Sequence, residues 1–448
     1  YLRIRYGNKI GMIACGIYIL LSQSLGAIAL FAASVGVAYA FQVEILWTTL
    51  ALGLTGTLYT ALGGLRGVVW TDTIQGIIIL TLPIVMMGMF SYDVAYNSAN
   101  LRPISSYDLR KYIFNTSFDI TNDENVWSCL FGLFTMSFYR TYLDQMVAQR
   151  YLAAKTLPDA LRYVKITYLG AFFTNLSYIL FGLLGAALIY WYRDCDPTLL
   201  GAINKPDQIM PYYVMENLSR IPGFTGLFLA AVVGATSSTI SSSINSQATI
   251  CYVDMLSPHI KMSDSRAAKV TKAIAFFIGV LMTLYGTVVQ YLGSAARLML
   301  LAMNALTGPY VGMFLLAIIF PCANSKASSH VTLLTVAFQL WLTIEKVRHG
   351  VTPERMPMTT DYCSQLQANV SLTTKNTTFL HYKQRELEPF TIHQLSGYWS
   401  SLISAGITII LGLGLSWITG GHKDFRRHIQ LTSKQALRLW VRLKLISN

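Results

Sequence analysis

The sequence predicts an all-α polytopic membrane protein, and three observations predict it. Only 12% of the 448 residues are charged, while 53% are hydrophobic; a soluble domain carries about 25% charged residues. Residues 10–43, 45–65, 73–92, 166–192, 221–253, 273–296, 298–325 and 397–421 contain no Asp, Glu, Lys or Arg. Each is of the length that crosses a bilayer core, about 20 apolar residues of helix. The runs are continuous rather than alternating in ten-residue units, which excludes a membrane β-barrel. Within lipid a helix satisfies its own backbone hydrogen bonds inside one segment.

Ten spans are expected, at about 10–38, 45–63, 72–92, 126–146, 166–191, 225–255, 270–291, 297–320, 327–344 and 398–420. Eight fall on the charge-free runs. The fourth carries Arg140 and Asp144, and the ninth is short, with His330 near its start. The stretch Gly63-Gly64 to Asp72 breaks the second helix and starts the third. Pro83 is read as a lone structural kink. Gly308-Pro309 is expected to interrupt the eighth helix, because proline removes a backbone donor and clashes with the preceding turn.

Orientation follows from the basic residues. With the N-terminus inside, the inner segments hold 20 Lys and Arg and the longer outer loops 13, in line with the positive-inside rule. This accounts for the net charge of +13 without a nucleic-acid partner. The sequons at Asn115, Asn217, Asn369 and Asn376 then fall in outer loops; that at Asn175 lies within a helix and is set aside. Cys195 and Cys363 lie outside, where an oxidising space allows them to pair. Cys15, Cys129, Cys251 and Cys322 lie in or at the ends of helices, as small buried apolar residues do. The basic tail, Lys423 to Lys444, lies inside and reads as a surface helix near anionic lipid.

The chain therefore divides into a core over 1–325 with about eight spans, two further spans with a large outer loop 345–397 over 326–420, and a basic cytoplasmic tail over 421–448. It begins at Tyr1 rather than Met, which reads as processing or a fragment.

Chemistry-bearing residues concentrate in few places. In the sixth span seven of the eight residues 236–243 carry a hydroxyl. Ala235, Ser238, Thr239 and Ser242 share one face, at spacings of three and four. Hydroxyls with a spare carbonyl lone pair make a neutral oxygen cage, suited to a small alkali cation; a divalent ion calls for carboxylates. Asp72, at the inner start of the third span, either caps that helix or holds a cation. Arg140 and Asp144, one turn apart in the fourth span, are either an internal i,i+4 ion pair or the place where a guanidinium meets a substrate carboxylate. None of the seven histidines is mid-membrane, and no HExxH or nucleophile motif appears, so a membrane-embedded enzyme has no visible catalytic group.

Several segments resemble the sodium/solute symporter family. TALGGLRGVVWTDTIQ (60–75) is similar to its glycine-glycine…tryptophan-threonine-aspartate signature, and ATSSTISSSINSQA (235–248) to its serine-rich cation-site helix. YLRIRYG (1–7) resembles the segment before the family's fourth helix. YRDCDP (192–197) and KPDQIMP (205–211) resemble the branch of monocarboxylate, multivitamin and iodide carriers. The likeness covers roughly residues 1–325 and weakens beyond.

The resemblance implies two inverted five-helix repeats around a midplane site, with the family's N-terminal helices missing from this chain. It implies a main sodium site at the Ala235 carbonyl, Ser238 and Thr239, and a second at Asp72, Ser241 and Ser242. It implies a substrate cavity lined by 137–144, including Ser137, Tyr139, Arg140 and Thr141. Two positions depart from the pattern: Asp144 stands where the family usually has Asn, and Ser137 and Thr141 where it has aromatic residues. The implied activity is sodium-coupled import of a small organic anion across the plasma membrane by alternating access, without an organic cofactor, Na+ being the coupling ion. A multivitamin (biotin or pantothenate) or iodide carrier and a truncated, non-transporting membrane sensor are the alternatives.

Overall fold

The computed structural model describes residues 1–97, 115–123, 125–193, 195–349, 360, 391–420 and 429–442, with the backbone alone for 65–71, 168, 169, 171 and 174. All regular structure among the described residues is helical. The spans are α1 (Asn8–Phe41), α2 (Ile45–Gly64), α3 (Asp72–Tyr96), α4 (128–143), α5 (Leu157–Tyr192), α6 (Phe224–Leu256), α7 (Asp264–Val289), α8 (Ala295–Ile319), α9 (Ser325–Arg348) and α10 (Gly397–Ile418). Among the described residues, all but α4 are long and apolar enough to cross a membrane as single helices. A surface helix, α11 (Lys434–Arg442), closes the chain.

The α4 region differs from the expected single span over 126–146. It runs through a π-helical turn (Ser128–Gly132), an α-helical stretch (Leu133–Phe138) and a second π-helical turn (Tyr139–Leu143). It ends at Asp144, whose φ of −69° and ψ of 123° leave the helix. Asp144 then caps a separate helix, Gln145–Leu152.

Between α2 and α3 the chain turns at Gly64, whose φ is +58°, a region that glycine enters without Cβ strain. Gly308-Pro309 does not interrupt α8, contrary to the sequence reading; the helix runs from Ala295 to Ile319 with Pro309 inside it. Glycines 308 and 312 serve packing instead. A Cβ on Gly308 would overlap Ser404 and the Ser401 carbonyl, and one on Gly312 would lie 2.8 Å from the Ala405 carbonyl. Small residues at such crossings let helix backbones approach closely. Hydroxyls reinforce the seam: Thr307 and Thr135 both meet Ser401 (3.1 and 2.8 Å), and Thr408 donates to Thr335 at 3.0 Å.

Three apolar clusters hold the bundle. One joins the first half of α1 to α4 and α8 around Tyr18, Tyr139 and Tyr310. Another joins the second half of α1 to α6 and α7 around Phe31, Ile244 and Met282. The third joins α3 and α5 to the start of α6 around Met86, Leu184 and Phe228.

Segments assigned to one side by charge counting lie together. Arg3 donates to the Asp254 carbonyl and Arg5 to that of Phe320, while the Tyr1 hydroxyl reaches the Leu431 carbonyl. At the opposite face Lys205 donates to the Gln290 carbonyl, and Asp207 accepts from the Ala295 N–H at the start of α8. Burial raises the Asp207 pKa above the usual carboxylate range despite that bond. Cys195 is disulfide-bonded; Cys363, its expected partner, lies outside the described residues. Of the cysteines expected to be buried, Cys15 is buried, Cys251 and Cys322 are half-buried, and Cys129 is exposed.

Candidate functional site: a hydroxyl face, a capped acid and a helix break

The hydroxyl run of α6 is sorted by the helix into two faces. Ala235, Ser238, Thr239 and Ser242 are half-buried together, as their spacing predicts, whereas Thr236, Ser241 and Ser243 are buried. Two of these hydroxyls bond back to the helix, the usual way such side chains are tolerated in an apolar span. Thr239 Oγ1 donates to the Ala235 carbonyl at 3.1 Å and Ser241 Oγ to the Ser238 carbonyl at 3.1 Å. Other bonds tie the run to its neighbours, among them Tyr59 of α2 donating to the Ser237 carbonyl (2.7 Å) and Thr236 to the Ala29 carbonyl of α1 (3.3 Å). The oxygens of the expected main sodium site are thus adjacent on one face. Ser241 points into the packing, away from Ser242.

Asp72 is not a helix cap. Its Oδ2 accepts from Arg150 Nη2 at 2.6 Å and from Ser242 Oγ at 3.3 Å, so it joins α3 to α6 and to the helix after α4. Arg150 also donates to Ser242 Oγ at 3.1 Å. Asp72 Oδ1 is buried with no hydrogen-bond partner. A buried, unsatisfied carboxylate oxygen is costly, and here it sits beside hydroxyls. Sequence reasoning missed Arg150, because it was counted only among the inner positive charges. Its signal was present: a lone cation on the short helix that follows α4.

Asp144 is fully buried at the α4 break. Its Oδ1 accepts from the Met146 N–H at 2.9 Å and from the Tyr18 hydroxyl at 3.1 Å, and its Oδ2 from Arg140. Tyr18 in turn lies 2.9 Å from Ser246 Oγ, so one carboxylate links α1, α4 and α6. The i,i+4 pair therefore forms, but the helix ends between its partners and the acid. Of the four expected substrate-lining residues, Ser137, Arg140 and Thr141 lie on the less buried side of α4. Tyr139 does not join them: it is fully buried, its ring edge-on to Tyr310 at 5.7 Å.

Of the sequons, Asn115 is half-exposed, its Oδ1 accepting from Ser117 N and Oγ. Asn217 is not in a loop; it lies in the π-helical turn Val214–Leu218 and donates to the Tyr213 carbonyl. Asn369 and Asn376 lie outside the described residues.

A bundle of apolar spans around a hydroxyl-rich helix, with one buried acid, Asp144, at a helix break and another acid, Asp72, beside the hydroxyls, defines a multi-pass membrane transporter. The family model described as Sodium:solute symporter family matches residues 1–329, and the chain belongs to that family. It is 27% identical over 429 residues to sodium-coupled monocarboxylate transporter 2 of Homo sapiens, covering 94% of this chain and 67% of that protein. It is 26% identical over 450 residues to sodium-coupled monocarboxylate transporter 1 of Homo sapiens, covering 95% and 71% respectively. Among solved structures it matches the substrate-bound outward-open state of a Na+-coupled sialic acid symporter, with a TM-score of 0.69 at 20% identity over 93% of this chain and 76% of that one. The transporter fold expected from the sequence is the one observed. The protein is a sodium-coupled secondary transporter and not an enzyme.

Proposed function

We propose that the protein carries a small organic anion of the monocarboxylate class into the cell with sodium, across the plasma membrane, with its C-terminus cytoplasmic. The observation that carries the cation half is the shared half-buried face of Ala235, Ser238, Thr239 and Ser242 in an uncharged helix, flanked by Asp72. Support for the anion half comes from Arg140, on one side of α4 with Ser137 and Thr141, and from the named substrates of the relatives. Sodium entry would favour one of two states, and coupling is the difference in its affinity for them. A sodium-dependent uptake screen of lactate, nicotinate, biotin and iodide tests the substrate class. Lactate or nicotinate uptake is the expected result; uptake of iodide alone would overturn it.

Ser238→Ala with Thr239→Ala removes two oxygens from a cage with no charged ligand to compensate. Each lost ligand is expected to cost about 1–2 kcal/mol, on the scale of a hydrogen bond to a charged group. The sodium concentration for half-maximal uptake should rise by at least tenfold at unchanged surface expression. Unchanged sodium dependence in the double variant would remove these residues from the site.

Arg150 and a second cation compete for Asp72 in this reading. Arg150→Gln is expected to raise apparent sodium affinity by up to roughly fivefold, the equivalent of the ~1 kcal/mol of a solvent-exposed ion pair. Asp72→Asn should change the current carried per substrate molecule, since it removes the charge while keeping the shape. Identical charge-to-substrate ratios in wild type and Asp72→Asn would leave Asp72 a purely structural role.

A further inference from the structure

The face that gathers residues 1–7, the end of α6 and the C-terminal helix holds a cavity of about 280 Å³. Its lining is Phe320, Cys322, Leu413, Trp417 and Trp440, with no charged group among them. One wall is the end of α10, where Trp417 is 81% exposed. The opposite wall is α11, which is docked: Trp440 Nε1 donates to the Ile319 carbonyl at 2.8 Å, the Ser433 N–H donates to the Ile318 carbonyl at 2.9 Å, and the Trp440 ring lies 5.4 Å from that of Phe320.

The outer side of α11 has the opposite character. Lys434, Arg438 and Arg442 recur every four residues, all three are exposed, and the helix carries no acid. An apolar cavity at the end of a membrane span, walled by a helix whose outer side carries three cations, matches an amphiphile with an anionic head. Tryptophan at helix ends marks the headgroup level, and basic residues near a membrane surface attract anionic lipid at about 1 kcal/mol each. A free anion would meet no charged side chain among the described residues that line the cavity, and a zwitterionic lipid would not use the cationic row.

We propose that this cavity binds one anionic phospholipid of the cytoplasmic leaflet, with an acyl chain between Trp417 and Trp440 and the headgroup on Lys434, Arg438 and Arg442. The leaflet rests on the orientation read from the basic residues; the site does not depend on the transported substrate. Bound lipid would fasten α11 to the inner ends of α8 and α10.

The test uses the full chain reconstituted in phosphatidylcholine vesicles containing a minority of phosphatidylserine, with brominated acyl chains on one lipid or the other. Bromine quenches tryptophan fluorescence on contact, and Trp417→Phe and Trp440→Phe identify the signal from this site. Brominated phosphatidylserine is expected to quench that signal at a lower mole fraction than brominated phosphatidylcholine. Arg438→Gln with Arg442→Gln should weaken the preference by about thirtyfold, the equivalent of two basic residues at about 1 kcal/mol each. Cys322→Phe and, from another wall, Leu413→Phe fill the cavity while leaving the cationic row, and either should abolish quenching at the site. Equal quenching by the two brominated lipids would show ordinary contact with the bilayer and overturn the proposal. So would a phosphatidylserine preference that survives either cavity-filling variant in a protein of unchanged melting temperature.

Discussion

Asp144→Ala is expected to destabilise the protein by about 3 kcal/mol, the low end of the cost of breaking a buried ion pair from one side, because Asp144 is fully buried and Arg140 half-exposed. The carboxylate is fully buried and accepts three bonds, from Arg140, Tyr18 and the Met146 N–H. Its loss strands the Arg140 charge at membrane depth and uncaps Gln145–Leu152. Asp144→Asn keeps an acceptor for Tyr18 and for the cap, so it should cost less. Arg140→Gln leaves a buried carboxylate without its cation and should be as damaging as Asp144→Ala. The double variant Arg140→Gln, Asp144→Asn should recover most of the loss, since a pair removed together leaves no uncompensated charge. Melting temperature in detergent and delivery to the cell surface read this cycle. Strictly additive effects would show that the two residues are not coupled.

Gly308→Val is expected to separate α8 from α10. The Cβ that any other residue brings would overlap Ser404 and the carbonyl of Ser401, and backbone cannot swing aside as a long side chain can. Overpacking of a close-packed interior costs typically about 1–3 kcal/mol, and more where backbone is the obstacle. The hydroxyl seam of Thr135, Thr307 and Ser401 would open with it. Early melting and faster proteolysis are the expected readouts; Gly406→Val, on α10 with open space around the new Cβ, is the control. Equal melting temperatures for the two variants would mean that the seam is not where the bundle is held.

Much of this was legible in the residues. The charge-free runs became helices close to where they were expected, and the α6 face of Ala235, Ser238, Thr239 and Ser242 emerged from spacing alone. Gly308-Pro309 misled because proline in a helix was read as a break, whereas Gly308 and Gly312 are there for a neighbour more than 90 residues away in sequence, Ser401 and its turn. Asp72 was left between cap and cation ligand because its partners, Arg150 and Ser242, lie 78 and 170 residues further on.

The sequence by itself determined the class of the protein and the rough limits of all its expected spans but the fourth. These follow from the bilayer, which acts on each segment separately through its length and charge. Tertiary structure alone decided how α4 ends, which cation meets Asp72, and that the C-terminal helix closes an apolar cavity. Each of those depends on groups distant in the chain being brought within a few ångströms. Hydrogen bonds and ion pairs at that range are set by packing, not by local composition.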